Sequence, residues 1–285
     1  MVHLIQERKE AAMKKKLSIL LAMIMVMSLL ALTGCGSKKE EAKEEPKPTT
    51  AEELLEANKK AQKEAENYAI KGNGSAELKA ASQGMEMTVP LSFDVEGAVS
   101  KDVIYGKGSG SAEMNGEKRD ASGEVFFDRK NKKTYSRTGE DGEWSSSELN
   151  EDAENIKFEV PESLKPSLEF SEADDAYVLE CDLTQIDLVE IIKSFAEQQE
   201  IDQIDSAMET IESANPAITS GKLTMKYEKD TCLLKSITVK EFAGSAATEI
   251  AEGQSMDIGA TADIEFTFSD YGKVPAETFK LPEAE

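Results

Sequence analysis

The chain of 285 residues contains a single histidine, three cysteines and one tryptophan. Each scarcity removes a class of chemistry. His3 lies near the N-terminus, so the rest of the chain has no imidazole for a Ser-His-Asp or Cys-His arrangement, and none for the common zinc sites. Cys181 and Cys232 are too far apart for a Cys-x-x-Cys metal or redox motif. Positive charge is also in the minority, with 33 Lys and Arg against 56 Asp and Glu, a formal net charge of −23. That balance argues against nucleic acid and against electrostatic docking on anionic lipid, since both need a basic face. Carboxylates are plentiful, but no Asp/Glu pair stands out as a glycosidase-type acid and base. The sequence therefore predicts no catalytic residue, no metal site and no cofactor.

Apolar residues make up 39% of the chain, enough to build a core. Lys14, Lys15 and Lys16 precede an uncharged, mainly apolar run from Leu17 to Leu32, which ends in Thr33, Gly34 and Cys35. Basic, apolar and small-residue segments in that order read as an export signal over residues 1–34, too short for a spanning helix. Met13, directly ahead of the lysines, is the better start site. The string LTGC resembles the lipobox of bacterial lipoproteins, which implies a diacylglycerol thioether on Cys35 and attachment to the outer face of the cell membrane. Removing residues 1–34 leaves 28 basic against 54 acidic side chains, a net charge of −26. From Gly36 to Thr49 the composition turns to Ser, Lys, Glu and Pro, which predicts a disordered tether over residues 35–50.

Residues 51–285 read as one domain. Thr50 and Glu53 form a capping box for a helix whose Leu54, Ala57, Ala61, Ala65 and Tyr68 share a face. Beyond Tyr68 the apolar period changes to two, the signature of strands. Met85, Met87, Val89, Leu91, Phe93, Val95 and Val99 alternate with polar residues, and Pro90 marks an edge or a bend. In the next run Ile104, Gly106, Gly108, Gly110, Ala112 and Met114 occupy one face, almost bare of side chains. An Asn115-Gly116 turn follows, then Ala121, Gly123, Val125 and Phe127. Glycine is unfavourable inside a strand unless the sheet bends or something packs onto its backbone. The row is thus a bend, a seat for the first helix, or a groove for an elongated apolar ligand. A phosphate loop is excluded because no helix follows these glycines.

Trp144 in a hairpin reads as a strand-end aromatic closing the sheet edge or as a ligand-stacking ring, and residues 147–172 form an acidic covering segment. Tyr177 to Leu183 make another strand, after which Thr184 caps a helix with Ile186, Val189, Ile192, Phe195 and Ala196 on one face. A second helix carries Ile204, Met208 and Ile211 and stops at Asn215-Pro216. Three closing strands lie around Leu223 to Tyr227, Leu233 to Val239 and Ile258 to Phe268. Outside the membrane an oxidised Cys181–Cys232 pair is one reading, and two small buried hydrophobes the other. The expected fold is α+β: a curved antiparallel sheet, an incomplete β-barrel, covered on its inner face by the N-terminal helix and the helical pair.

The helix AEELLEANKKAQKEAENY, the GEW turn at Gly142 to Trp144 and the terminal PAETFKLPE from Pro275 resemble the LolA-like superfamily of envelope lipoproteins. The likeness is to the LppX and LprG type and their Gram-positive relatives. It implies a hydrophobic cavity between sheet and helices that holds a lipid or an acylated molecule. Candidate lining residues are Met85, Met87, Val89, Leu91, Phe93, Gly106, Gly108, Gly110, Met114, Val125, Phe127, Met208 and Met225, where methionine supplies an adaptable surface. The alternative is a non-catalytic lipoprotein that recognises an envelope protein through its acidic face or a strand edge.

Overall fold

The structure, a computed structural model, describes residues 47–82, 85–114, 116–149, 160–198, 208, 211–251 and 254–283. The export signal, Cys35, the tether up to residue 46, Ile204 and the side chains of Phe195 and Ala196 lie outside what is described.

Among the described residues eleven antiparallel strands form one open sheet. They are β1 (Asn67–Ser82), β2 (Met85–Ser100), β3 (Val103–Met114), β4 (Glu117–Asp128), β5 (Lys133–Thr138), β6 (Ser145–Glu148), β7 (Glu169–Glu172), β8 (Ala176–Asp182), β9 (Ala217–Glu228), β10 (Leu234–Ala251) and β11 (Gln254–Ser269). Their order is β6-β5-β4-β3-β2-β1-β11-β10-β9-β8-β7. The first and last strands therefore pair at the centre, while β6 and β7 are left as the two edges. Pro90 does not mark an edge strand: β2 is interior, and Pro90 sits one residue beyond Leu91, where the ladder to β3 begins. That is where a missing N–H is tolerated.

Period two decides which face is buried. Pairing of Tyr68 with Val99, Gly72 with Val95 and Gly74 with Phe93 puts the apolar side chains of β1 and β2 on one side. The same side carries Ile264, Phe266 and Phe268 of β11, Ile237 and Val239 of β10, and Leu223 and Met225 of β9. Helix α1 (Ala51–Glu64) packs there through Leu54, which is fully buried. Its Asn58 donates to the carbonyl of Cys232 at 2.8 Å, fixing α1 to the β9–β10 turn. The capping box forms as expected at Thr50, whose hydroxyl accepts from the Glu53 amide at 3.2 Å. The Glu53 carboxylate reaches one residue further back, to the amide and hydroxyl of Thr49.

Helix α2 (Leu188–Gln198) begins later than the sequence implies. Thr184 is not its cap. Thr184 lies in a 3₁₀ turn (Leu183–Gln185) capped by Asp182, and the Asp187 carboxylate takes over at α2 by accepting from the amides of Val189 and Glu190. Ile191 of α2 enters the main core, while Ile192 joins Met208 and Ile211 in a separate small cluster. The covering segment also contributes structure, since Leu164 and Leu168 are buried in the main core and residues 169–172 pair as β7.

Candidate functional site

Two sets of glycines lie on the apolar face, and they are treated differently. On β1, Gly72 is overlain by the ring of Phe266 and Gly74 by the ring of Phe93, so aromatic side chains from neighbouring strands occupy the space that a Cβ would take. The two rings stand 6.3 Å apart between centroids and seal the centre of the sheet. On β3 and β4 no ring covers the glycines. Gly108 faces Gly123 across the ladder, Gly106 faces Val125, and Val95 lies beside Gly108 on β2. These five residues line a hollow of about 360 Å³. Val95 and Val125 stand on the apolar face. The remaining lining positions, Glu96, Lys107, Glu124 and Arg137, alternate with them, so the register turns their side chains to the opposite side.

That opposite side braces the same strands. Arg137 donates to Glu124 at 2.8 Å and to the carbonyl of Glu140 at 2.6 Å, and its guanidinium lies 5.0 Å from the centre of the Trp144 ring. Trp144 packs on Phe126, and Phe126 on Tyr105, with centroids 5.5 and 4.9 Å apart. Lys107 completes the set by pairing with Glu140 at 3.2 Å. Trp144 thus sits beside β6 behind the hollow, as an aromatic of the strand end. Burial raises the Tyr105 hydroxyl above its usual value, and the charge of Glu124 adds to the effect.

The expected lining residues divide into several groups. Gly106, Gly108 and Val125 line the hollow. Gly110 shares their face but lies outside the hollow, where a Cβ would meet the carbonyl of Ser92 at 3.0 Å. Phe93 fills the gap over Gly74, Val89 is buried at 2% exposure, and Phe127 stands opposite Ile104. Leu91, Met87 and Met114 lie on the same face toward the hairpin ends, and Met85 is 72% exposed. Met225 and Met208 do not line this hollow. Met225 is a fully buried member of the main core, and Met208 belongs to the small cluster of the helical segment. Cys181 and Cys232 form no disulfide: Cys181 is buried on β8, where its thiol donates to the carbonyl of Asp182, and Cys232 sits at the β9–β10 turn. Burial, together with the charges of Asp182 and Glu169, pushes the Cys181 thiol up to about 11. Gly123 and Val95 were missing from the expected site. Counting back from the Asn115-Gly116 turn finds Gly123, because a two-residue connection that pairs Met114 with Glu117 also pairs Gly108 with Gly123.

Among the described residues no group of His, Cys, Asp and Glu is arranged to hold a metal ion, and no helix is long and apolar enough to cross a membrane. No curated protein matches the chain. Among solved structures, Neisserial surface protein A is 8% identical, with 70% of this chain and 96% of that one covered, at a TM-score of 0.21. A DUF1329 family protein from Desulfovibrio piger is 11% identical over 81% of this chain and 99% of that one, at a TM-score of 0.22. MucB, crystallised with MucA, is 10% identical over 80% and 95%, at 0.08. These likenesses are too slight to carry an argument. The family model that matches covers residues 50–284, nearly all of the folded part, and the chain therefore belongs to the family of unknown function DUF6612.

Proposed function

We propose that this protein is a non-catalytic envelope lipoprotein that holds an elongated apolar or amphiphilic molecule, a lipid or an acylated compound, in the hollow over Gly106, Gly108 and Gly123. The observation that carries this reading is the contrast between the two glycine sets: the rings of Phe266 and Phe93 cover Gly72 and Gly74 at the sheet centre, while no ring covers Gly106, Gly108 and Gly123, which line the hollow. A hollow of about 360 Å³ falls within the range of small-molecule sites, about 300–1,000 Å³. Its lining is apolar, and each methylene removed from water there is worth about 0.8 kcal/mol. The anchor in this reading is a diacylglycerol thioether on Cys35, which places the domain at the outer face of the cell membrane, within reach of acyl chains. The likeness of the first helix, the GEW turn and the C-terminal PAETFKLPE to LolA-like lipoproteins supports the same assignment.

The experiment is to express residues 36–285, extract the purified protein with organic solvent and identify any co-purified lipid by mass spectrometry. Binding of an apolar fluorescent probe is measured in parallel. Lipid or probe bound by the parent, and lost in a folded Gly108→Trp variant, is the expected result. A parent that carries no lipid and binds no probe overturns the assignment. The second reading, recognition of an envelope protein, is favoured by the open β6 edge, whose Ser145–Glu148 are all exposed.

A further inference from the structure

Six methionines lie beyond residue 34, and four of them, Met85, Met87, Met114 and Met256, stand on the apolar face at the end of the sheet farthest from α1. This is the end where the β1–β2, β3–β4 and β10–β11 hairpins turn. Within this group the register places three methionines on either side of one strand. Ala80 of β1 is flanked by Met87 on β2 and by Ile258 on β11. One step closer to the turn, Ser82 pairs with Met85, and Met256 follows Ile258 on the same face of β11. Met85 and Met87 thus stand on one side of β1 and Met256 on the other, flanking the small residues Ala80 and Ser82. The strands that carry them are about 10 Å apart across β1, a span that unbranched, rotatable side chains can close from both sides. The Ser82 hydroxyl donates to the carbonyl of Ser255 at 3.1 Å and holds this end of β1 to β11.

Burial does not explain the choice of residue. Met85 is 72% exposed, the exception among the large apolar side chains of the described residues. A strand that needed only apolar surface would be better served by valine or isoleucine. What methionine alone supplies is a soft sulfur donor that stays neutral at every pH.

We propose that Met85, Met87 and Met256 form a binding site for a soft monovalent cation, Cu(I) or Ag(I). Thioethers select such ions over the hard divalent cations that carboxylates hold, and the strongly acidic surface raises the local concentration of any cation. Binding needs no electron transfer when the ion arrives as the monovalent species. The site is separate from the hollow over Gly108 and does not depend on its occupant.

The test is a titration of Ag(I), which is stable in air, into the mature protein carrying ¹³C-labelled methionine methyl groups. The expected result is a saturable shift of the Met85, Met87 and Met256 methyl signals at equimolar metal, with Met208 and Met225 unmoved. The Met85→Leu/Met256→Leu variant keeps the far-ultraviolet spectrum of the parent and loses the saturable phase at Met87. Three unmoved methyl signals in the parent overturn the proposal, and so does metal uptake seen only as loss of free thiol at Cys181 or Cys232. An unchanged Met87 shift in the double variant overturns it as well.

Discussion

Gly108 of β3 and Gly123 of β4 face each other across the ladder, yet the two positions differ in what they tolerate. A Cβ at Gly108 would lie 3.3 Å from a methyl group of Val95, whereas one at Gly123 would lie 2.9 Å from the carbonyl oxygen of Arg137. One neighbour is a side chain on the rim of the hollow, and the other is fixed backbone.

Gly108→Ala is therefore expected to fold with a stability close to the parent while narrowing the hollow and weakening binding of an apolar probe. Gly123→Ala pushes against the β5 backbone and is expected to lose about 1–3 kcal/mol, as overpacked sites do. Urea unfolding beside probe titration separates the two. Equal stability loss in both variants would contradict the asymmetry.

Phe266 closes the gap over Gly72 and is itself buried. Phe266→Ala removes that cover and is expected to cost about 3–5 kcal/mol, the range for a buried aromatic truncated to alanine. It also opens a second apolar hollow at the sheet centre. Denaturant unfolding measures the first effect, and xenon or probe binding the second.

Arg137 is held by Glu124, by the Glu140 carbonyl and by the Trp144 ring. Its removal in Arg137→Met leaves the Glu124 carboxylate, only 12% exposed, with Lys107 at 3.9 Å as its nearest cation. The expected loss is about 1–3 kcal/mol. The fluorescence of Trp144, the only tryptophan, should shift as the guanidinium leaves its face. Unchanged stability and emission would show that the brace contributes nothing.

Stability should fall in alkali for a definite reason. Burial, with the charges of Asp182 and Glu169 adding to it, pushes the Cys181 thiol up from 9.0 to about 11. Burial likewise raises the hydroxyls of Tyr68, Tyr227 and Tyr271 above their ordinary value. A group whose folded pKa exceeds its unfolded one holds its proton more tightly when folded. The stability that Cys181 contributes is complete below about pH 9 and is lost as the pH climbs through about 11. Melting temperatures measured across that window should decline, and Cys181→Ala should decline less steeply. A parallel decline in the two proteins would contradict the assignment to Cys181.

The strand pattern was legible because period two is local: Met85 to Val99 and Ile104 to Met114 alternate in sequence as they do in the sheet. The bare inner face of β3 was legible for the same reason. Its neighbour Gly123 required one more step, since it becomes visible only once the Asn115-Gly116 turn is used to set the register. Met225 and Met208 were misplaced because sequence assigns a residue to a face of its own element but not to a core. Met225 meets Leu179 across the β8–β9 ladder, far along the chain from the glycines. The start of α2 was missed because Thr184 and Asp187 are both good caps, and the 3₁₀ turn capped by Asp182 claims the first of them.

By itself the sequence determined the strands, the capped first helix, the acidic surface and the scarcity of imidazole, all of which follow from composition and from neighbours a few residues apart. It did not decide that β1 and β11 would pair at the middle of the sheet. Nor did it decide that Phe266 would cover Gly72 while Gly108 and Gly123 stayed uncovered. The pairing of β1 with β11 and the cover over Gly72 rest on contacts between residues nearly two hundred positions apart in the chain, where only the register of long strands determines which side chain meets which gap.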